Sequence, residues 1–333
     1  MKRIFIGAVL FCFVSVLVIY CLLFLGNVSN EYQLKLRTST PISSVMNELL
    51  QNEVISSPYK LDLVQTFYPI TTVSSGRYLF RKGMSTKEIL SKLKHGQQDP
   101  ISFTLSTATF IEDVASKAGN KMSFDSLALM DYLRSDSAQT KYAINQENQL
   151  CLFLPNTHEI YWTTSVEDFV DKFYKDYIVF WNSERKSKAQ SLGMSPNQVY
   201  ILASMVQKEY SKRNERSKIA GVLLNRLKKS MPLQVDATCK YATKDFAAKR
   251  VLSYHTTFTS PYNTYQNQGL TPGPICMPEL ETIDAVLNAE SHQYLYYCAD
   301  PSLNGFHVFS TTYKEHNSVA SKYHQRMNEL KMK

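Results

Sequence analysis

The stretch "VYILASMVQKEYSKRNERSKIAGVLLNRL", residues 199–227, carries the pattern on which the reading of this chain turns. Wound as a helix, Leu202, Met205, Val206 and Glu209 recur at offsets of three, four and seven, an apolar stripe that ends in a carboxylate. An unpaired buried carboxylate is costly, so Glu209 sits at the stripe's edge, is paired, or holds a proton. Snorkelling at the edge is the ordinary outcome. The chemical alternative is a carboxyl in an apolar cleft, its pKa raised toward neutrality, able to donate a proton at working pH. Protonation of a glycosidic oxygen is the usual task of such an acid.

Working outward, the 333 residues suffice for one membrane segment and two or three packed units. After Met1-Lys2-Arg3, the run "IFIGAVLFCFVSVLVIYCLLFLG" continues from Ile4 to Gly26 without a charge. Its length exceeds the roughly 7–15 residues of a cleavable signal and meets the about 20 of a spanning helix. No small-x-small cleavage site closes it, and the bulky Tyr20 argues against lipidation at Cys21. The expectation is an uncleaved single-pass anchor in the cytoplasmic membrane. Lys2 and Arg3 place the N-terminus inside and everything after Gly26 outside. Net charge is +8, or +6 once Lys2 and Arg3 are set aside. On the outer side of a membrane that balance suits anionic lipid heads or wall carboxylates rather than nucleic acid, or simply a soluble cationic surface. Cys151, Cys239, Cys276 and Cys298 match no zinc spacing, and single buried thiols are expected.

"SGRYLFRKGMSTKEILSKLKHGQ" predicts a strand over Tyr78–Phe80, a turn at Gly83, and a helix capped by Ser85 with Glu88 three residues on. Ile89, Leu90 and Leu93 form its buried stripe and Gly96 ends it. A weaker strand-turn-helix echo follows at "ISFTLSTATFIEDVASKAGNK", then a helix over 124–133. "LCLFLPNTHEIYW" reads as a strand entering a turn, and one long helix is expected from Val166 to about Lys186. Further elements are a helix from Leu280, strands at Tyr294–Cys298 and "FHVFS", and a Lys-rich terminal helix. Strands and helices mix without regular alternation, which makes the fold class α+β. The expected organisation is a tail over 1–3, a transmembrane helix over 4–26, a tether and small α/β region over 27–150, and a mixed α+β domain over 151–333.

HExxH, GxSxG, P-loop and GxGxxG motifs are absent, so no metal and no cofactor is expected. His307, in "GFHVF", is the histidine on a predicted strand beside aromatic residues, a setting that suits a structural role. Gln234 and Asp236 share one face if "LQVDA" is extended, although Asp236 equally suits a helix cap or turn. "SPYNTYQNQGLTPGPI" offers Tyr262, Asn263, Thr264 and Tyr265 for stacking and hydrogen bonding, then Gly and Pro to shape a loop. Those are the properties of a sugar-lined rim and equally of a structural Ω-loop.

Together, "LASMVQKEY", "ERSKIAGVLLNRL", "MPLQVDATCKYA", "SPYNTYQNQGLTPGPI" and "YLYYCAD…GFHVFSTTYKEHN" resemble the MltG/YceG-like endolytic murein transglycosylases, in that family's order and at similar spacing. The region around residues 76–96 resembles the family's LysM-like portion; the second echo has "STATF" where a glycine-containing turn is usual. The resemblance implies cleavage within peptidoglycan glycan strands, outside the cytoplasmic membrane, beside membrane peptidoglycan synthases. In the family's EKE motif the second glutamate is catalytic, the position of Glu209 here, while the first acidic position is Gln207. Asn225, Arg226, Gln234, Asp236, Tyr262, Asn263 and Tyr265 match family motif positions, and His307 matches the HxF position. The implied reaction gives 1,6-anhydro-N-acetylmuramic acid ends. A peptidoglycan hydrolase using Asp236 to position water, or a non-catalytic wall-binding anchor, are the alternatives.

Overall fold

The computed structural model describes residues 2–209, 212–248 and 250–329, with the side chains of residues 2–5, 8 and 67 left out of the description. Met1 of the expected tail, Tyr210 of the "LASMVQKEY" motif and the end of the terminal helix at 330–333 lie outside the described residues. The chain divides into two compact units. One comprises Met1–Phe103, Gly119–Phe124 and His158–Ser165; the other comprises Thr104–Ala118, Asp125–Thr157 and Val166–Lys333.

The first unit runs α1 (Lys2–Phe24), β1 (Tyr32–Leu36), β2 (Thr40–Pro41), α2 (Ile42–Gln51), α3 (Pro58–Phe67), β3 (Thr72–Val73), β4 (Gly76–Phe80) and α4 (Thr86–Lys94). β1 pairs antiparallel with β4, from Tyr32 opposite Phe80 to Leu36 opposite Gly76, and β2 pairs with β3. Alternation along β4 sends Tyr78 and Phe80 inward onto Leu34, Leu49 and Leu61. The expected helix start is confirmed atom by atom. The backbone N–H of Ser85 donates to Glu88 Oε2 at 2.7 Å and that of Glu88 to Ser85 Oγ at 3.3 Å. Gly83 and Gly96 bracket this element in left-handed conformations, at φ +86° and +58°.

The N-terminal helix corrects the membrane reading. Among the described residues, no helix is long and apolar enough to cross a membrane. This overturns the single-pass anchor over 4–26 and, with it, the placement in the bacterial cytoplasmic membrane with the catalytic domain outside. The physical reason lies at its C-terminal end, where Ile19, Leu22 and Leu23 line an apolar pocket with Leu63 and Val64 of α3, and Lys87 of α4 sits 4.9 Å from the Phe24 ring. Leu22 and Leu23 are half-buried there, while Ile19 and Phe24 stay largely exposed.

α5 (Ile111–Lys121) begins in the second unit and ends in the first; the second unit also contains α6 (Ser126–Arg134), α7 (Asp136–Tyr142), α8 (Val166–Phe180), α9 (Ser183–Ser191), α10 (Pro196–Glu209), α11 (Arg216–Lys228), α12 (Asp236–Thr243), α13 (Ser253–Thr257), α14 (Leu280–Leu287) and α15 (Tyr313–Glu329). β5 (Ile101–Leu105) pairs with β6 (Asn156–Ile160), each strand divided between the two units, and within the second unit β7 (Tyr296–Ala299) pairs antiparallel with β8 (His307–Ser310), Tyr297 opposite Phe309. The architecture is mixed α+β, with helices around small two-stranded sheets. α10 is the buried axis. Val199, Tyr200, Leu202, Ala203, Met205 and Val206 are fully buried, and α11, α12 and α14 pack around it.

Two local expectations differ. The long helix breaks after Phe180 because Asn182 caps a new one, its side chain accepting from the N–H of Arg185 at 2.9 Å. The apolar run at Cys151 is a 3-10 turn over Gln149–Leu152, and the strand begins only at Asn156. A short fully buried run has no periodicity that separates the two.

Candidate active site

Glu209 is the last residue of α10, where the helix leaves the core. Its carboxyl enters a cavity of about 290 Å³ lined also by Arg226, Gln234, Asp236, Tyr265, Tyr297 and His307. Tyr297, on β7, donates its hydroxyl to Glu209 Oε2 at 2.9 Å, and the backbone N–H of Ala237 in the first turn of α12 also donates to this carboxyl. Burial raises the Glu209 pKa to about 7. The Tyr297 hydrogen bond opposes that rise, the Asp236 charge adds to it, and the Ala237 N–H and Lys240 lower it.

Asp236 opens α12 as its first helical residue, so the segment is not extended as expected; its Oδ1 accepts from the Tyr265 hydroxyl at 2.7 Å. Gln234 reaches the same cavity through a backbone kink. Its φ of +51° lies in the left-handed region that a non-glycine residue enters at a cost of about 1–2 kcal/mol. The kink is held by Thr264, whose carbonyl and hydroxyl oxygens accept the N–H groups of Gln234 and Val235 at 3.1 and 3.0 Å. So placed, Gln234 Oε1 accepts from Arg226 at 3.2 Å.

Arg226, only 8% exposed, spends its guanidinium on protein oxygens: Leu295 O at 2.6 Å, Leu233 O at 2.9 Å and Pro232 O at 3.2 Å. It clamps α11 to the start of β7 and to the strand-like approach to α12. His307 donates its backbone N–H to Glu215 Oε1 and pairs its Nδ1 with Glu215 Oε2, both at 2.9 Å. With Nδ1 donating to that carboxylate, Nε2 is the ring nitrogen left over. Its ring meets Tyr297 edge-on at 5.5 Å.

Three expected residues do not line this cavity. Asn225 donates to the carbonyls of His292 and Tyr294 at 2.8 and 3.0 Å, tying α11 to the chain before β7. Asn263 is fully buried; its amide donates to the carbonyls of His255, Thr256 and Phe258, and its Oδ1 accepts the Tyr265 N–H at 3.0 Å. Tyr262 turns the other way and packs on Tyr241 at 4.9 Å. Conversely, the site includes Tyr297, Glu215 and His316, which the sequence pattern does not single out. Tyr297 stood inside the "YLYYCAD" motif, but strand tyrosines are common, and Glu215 looked like an ordinary first-turn carboxylate ahead of α11. His316 lines the cavity from α15, and its Nδ1 is buried without a hydrogen-bond partner among the described residues. Burial and the Arg226 charge hold its pKa down, which keeps the ring neutral.

Gln207, where a second carboxylate is usual, faces elsewhere. Its Oε1 accepts the Glu279 N–H at 3.0 Å and the Thr282 hydroxyl at 2.8 Å, at the N-terminus of α14. The departure from the EKE pattern therefore falls on a helix cap, outside the cavity of Glu209. Among the described residues no group of three or more His, Cys, Asp or Glu is arranged to hold a metal ion.

The chain matches the model described as YceG-like family over residues 34–322. An endolytic murein transglycosylase of Bacillus subtilis (strain 168) is 30% identical over 314 residues, covering 88% of this chain and 84% of that one. An endolytic murein transglycosylase of Streptococcus pneumoniae (strain ATCC BAA-255 / R6) is 28% identical over 309 residues, covering 81% of this chain and 55% of the relative. Among solved structures, a yceG-like protein of Listeria monocytogenes, lmo1499, superposes with a TM-score of 0.58 at 23% identity, covering 87% of this chain and 99% of that one. At that identity the last likeness speaks to fold alone.

Proposed function

The chain belongs to the YceG-like family, and from that premise we propose that it is an endolytic murein transglycosylase whose acid and base are one residue, Glu209. The observation that carries the reading is the Glu209 carboxyl in its cavity, its pKa raised by burial to about 7. A group poised there is protonated often enough to donate and deprotonated often enough to accept. In the first half of the reaction Glu209 gives its proton to the oxygen joining N-acetylmuramic acid to N-acetylglucosamine, and the C1–O bond breaks. In the second, the new carboxylate takes the proton of the muramic acid 6-hydroxyl as that oxygen bonds to C1. Protons balance, no water is consumed, and the product ends in a 1,6-anhydro ring.

The surrounding groups support the cycle. The Tyr297 hydroxyl steadies Glu209 after it has lost its proton. Asp236 stands by as fixed negative charge for an oxocarbenium-like transition state. His316 Nδ1 and His307 offer unspent ring nitrogens to sugar hydroxyls. Arg226, Asn225 and Asn263 act as scaffold through the carbonyls they hold. Residues 151–333 are the catalytic portion in this reading. The strand-turn-helix of β4 and α4, whose sequence resembles a LysM-like portion, would contact glycan in this reading.

Digestion of purified peptidoglycan, with mass spectrometry of the fragments, tests the reading. Wild-type protein is expected to release anhydro-ended fragments from within strands, and Glu209→Gln to lose about 10³-fold or more of that activity while keeping its fold. Reducing ends in place of anhydro ends would make the enzyme a hydrolase; substantial turnover by Glu209→Gln would remove Glu209 from the mechanism.

A further inference from the structure

A second cavity, of about 340 Å³, lies at the other end of α12 from Asp236. Its aromatic wall is continuous: Tyr241 of α12 packs between Phe110 at 5.1 Å and Tyr262 at 4.9 Å. Four charged side chains line it, Glu112 and Glu147 with Arg134 and Lys244. They are exposed, and among the described residues none of them forms an ion pair or side-chain hydrogen bond. The wall is firm on the side of Glu147. A Cβ on Gly273 would stand 2.0 Å from the Glu147 carbonyl oxygen and 2.9 Å from the Tyr262 hydroxyl, so the chain there admits only glycine.

The two cavities share their dividing elements. α12 brings Asp236 to one and Tyr241 to the other; the loop after α13 brings Tyr265 to the first and Tyr262 to the second. Five residues of helix separate positions 236 and 241 by about 7.5 Å, and two to three residues of extended peptide cover that distance.

Resting on the lytic reading above, we propose that this second cavity receives the peptide branch of the murein strand whose sugar lies at Glu209. The sugars of the glycan backbone carry no cationic group and can offer Glu112 and Glu147 only the neutral hydrogen bonds of their hydroxyls and acetamido N–H groups. The peptide branch, carried on the lactyl ether of muramic acid, has both the carboxylates that Arg134 and Lys244 would hold and the amino group of its diamino acid for the two glutamates. Its alanine methyls suit the faces of Tyr241 and Tyr262. The branch therefore orients the muramic acid for attack by its own 6-hydroxyl, and peptide-bearing strands become the preferred substrate.

The experiment compares kcat/KM on intact glycan strands and on the same strands stripped of peptide by an amidase. Wild type is expected to favour peptide-bearing strands about tenfold, a factor one or two exposed charge-assisted hydrogen bonds supply. In the double variant Arg134→Ala/Lys244→Ala, cleavage of peptide-bearing strands is expected to fall to the wild-type level on stripped ones. Equal cleavage of both substrates by wild type overturns the proposal and leaves a distal sugar subsite as the occupant; so does equal proportional loss on both in the double variant. A second arm needs no turnover. The free stem tetrapeptide is titrated into Glu209→Gln protein and followed by NMR of the tyrosine rings. Shifts at Tyr241 and Tyr262 that the double variant abolishes support the cavity even if the lytic reading fails; their absence overturns it even if that reading holds.

Discussion

The cavity at Glu209 and the cavity at Tyr241 border the same helix and differ in how their polar groups are spent. In the first, nearly every polar group is engaged within the protein: Tyr297 on Glu209, Tyr265 on Asp236, Arg226 on carbonyls and Gln234, His307 on Glu215. In the second, two carboxylates and two cations face solvent without partners. The contrast separates two tasks. Moving a proton requires a carboxyl whose environment is set before substrate arrives, so its neighbours are locked into one another. Recognising a charged branch requires groups still free to form bonds, and unengaged surface charges cost little to keep in water.

That contrast can be broken most severely at Arg226. Arg226→Met is expected to cost about 3 kcal/mol or more of stability, because it strands the buried carbonyl of Leu233 and the part-buried carbonyls of Leu295 and Pro232. A fall of about 10 °C in melting temperature is the corresponding readout; an unchanged melting curve would mean that the locked network is not structural.

The next effect is catalytic. Glu209 must be protonated for the first step, so kcat/KM is expected to fall as pH rises through about 7. Tyr297→Phe removes a bond that lowers the Glu209 pKa and shifts that limb to higher pH; Asp236→Asn removes a like charge that raises it and shifts the limb lower. At neutral pH roughly tenfold losses are expected from each change, since in the proposed cycle each neighbour also serves the transition state. Limbs that move together, or stay put, would show that the titration belongs to another group. The smallest effect is at Gln207, outside both cavities. Gln207→Ala is expected to cost about 1 kcal/mol by uncapping α14. Gln207→Glu should leave both stability and activity near wild type, as thermal melts and glycan digestion would register.

The local elements were legible where short-range rules governed them. The Ser85–Glu88 capping box, the stripe of Ile89, Leu90 and Leu93 and the α10 stripe ending at Glu209 follow from interactions three or four residues apart. Asn182, a helix cap by residue type, was lost inside a longer apolar period. The N-terminal run shows the same limit. Composition describes an apolar helix, while the approach of its last turns to Leu63 and Val64 is a tertiary matter.

By itself the sequence determined that a carboxylate would arrive at the end of a buried helix, and that motifs around residues 225, 234, 263 and 307 would recur in a known order. The tertiary structure alone decided what each of those residues does. Asn225 and Asn263 turned toward carbonyls and became scaffold, while Tyr297, 88 positions from Glu209, became its hydrogen-bond partner. A pKa is set by burial and by charges within a few ångströms. Those neighbours come from segments that local pattern cannot join, and only the folded chain brings them together.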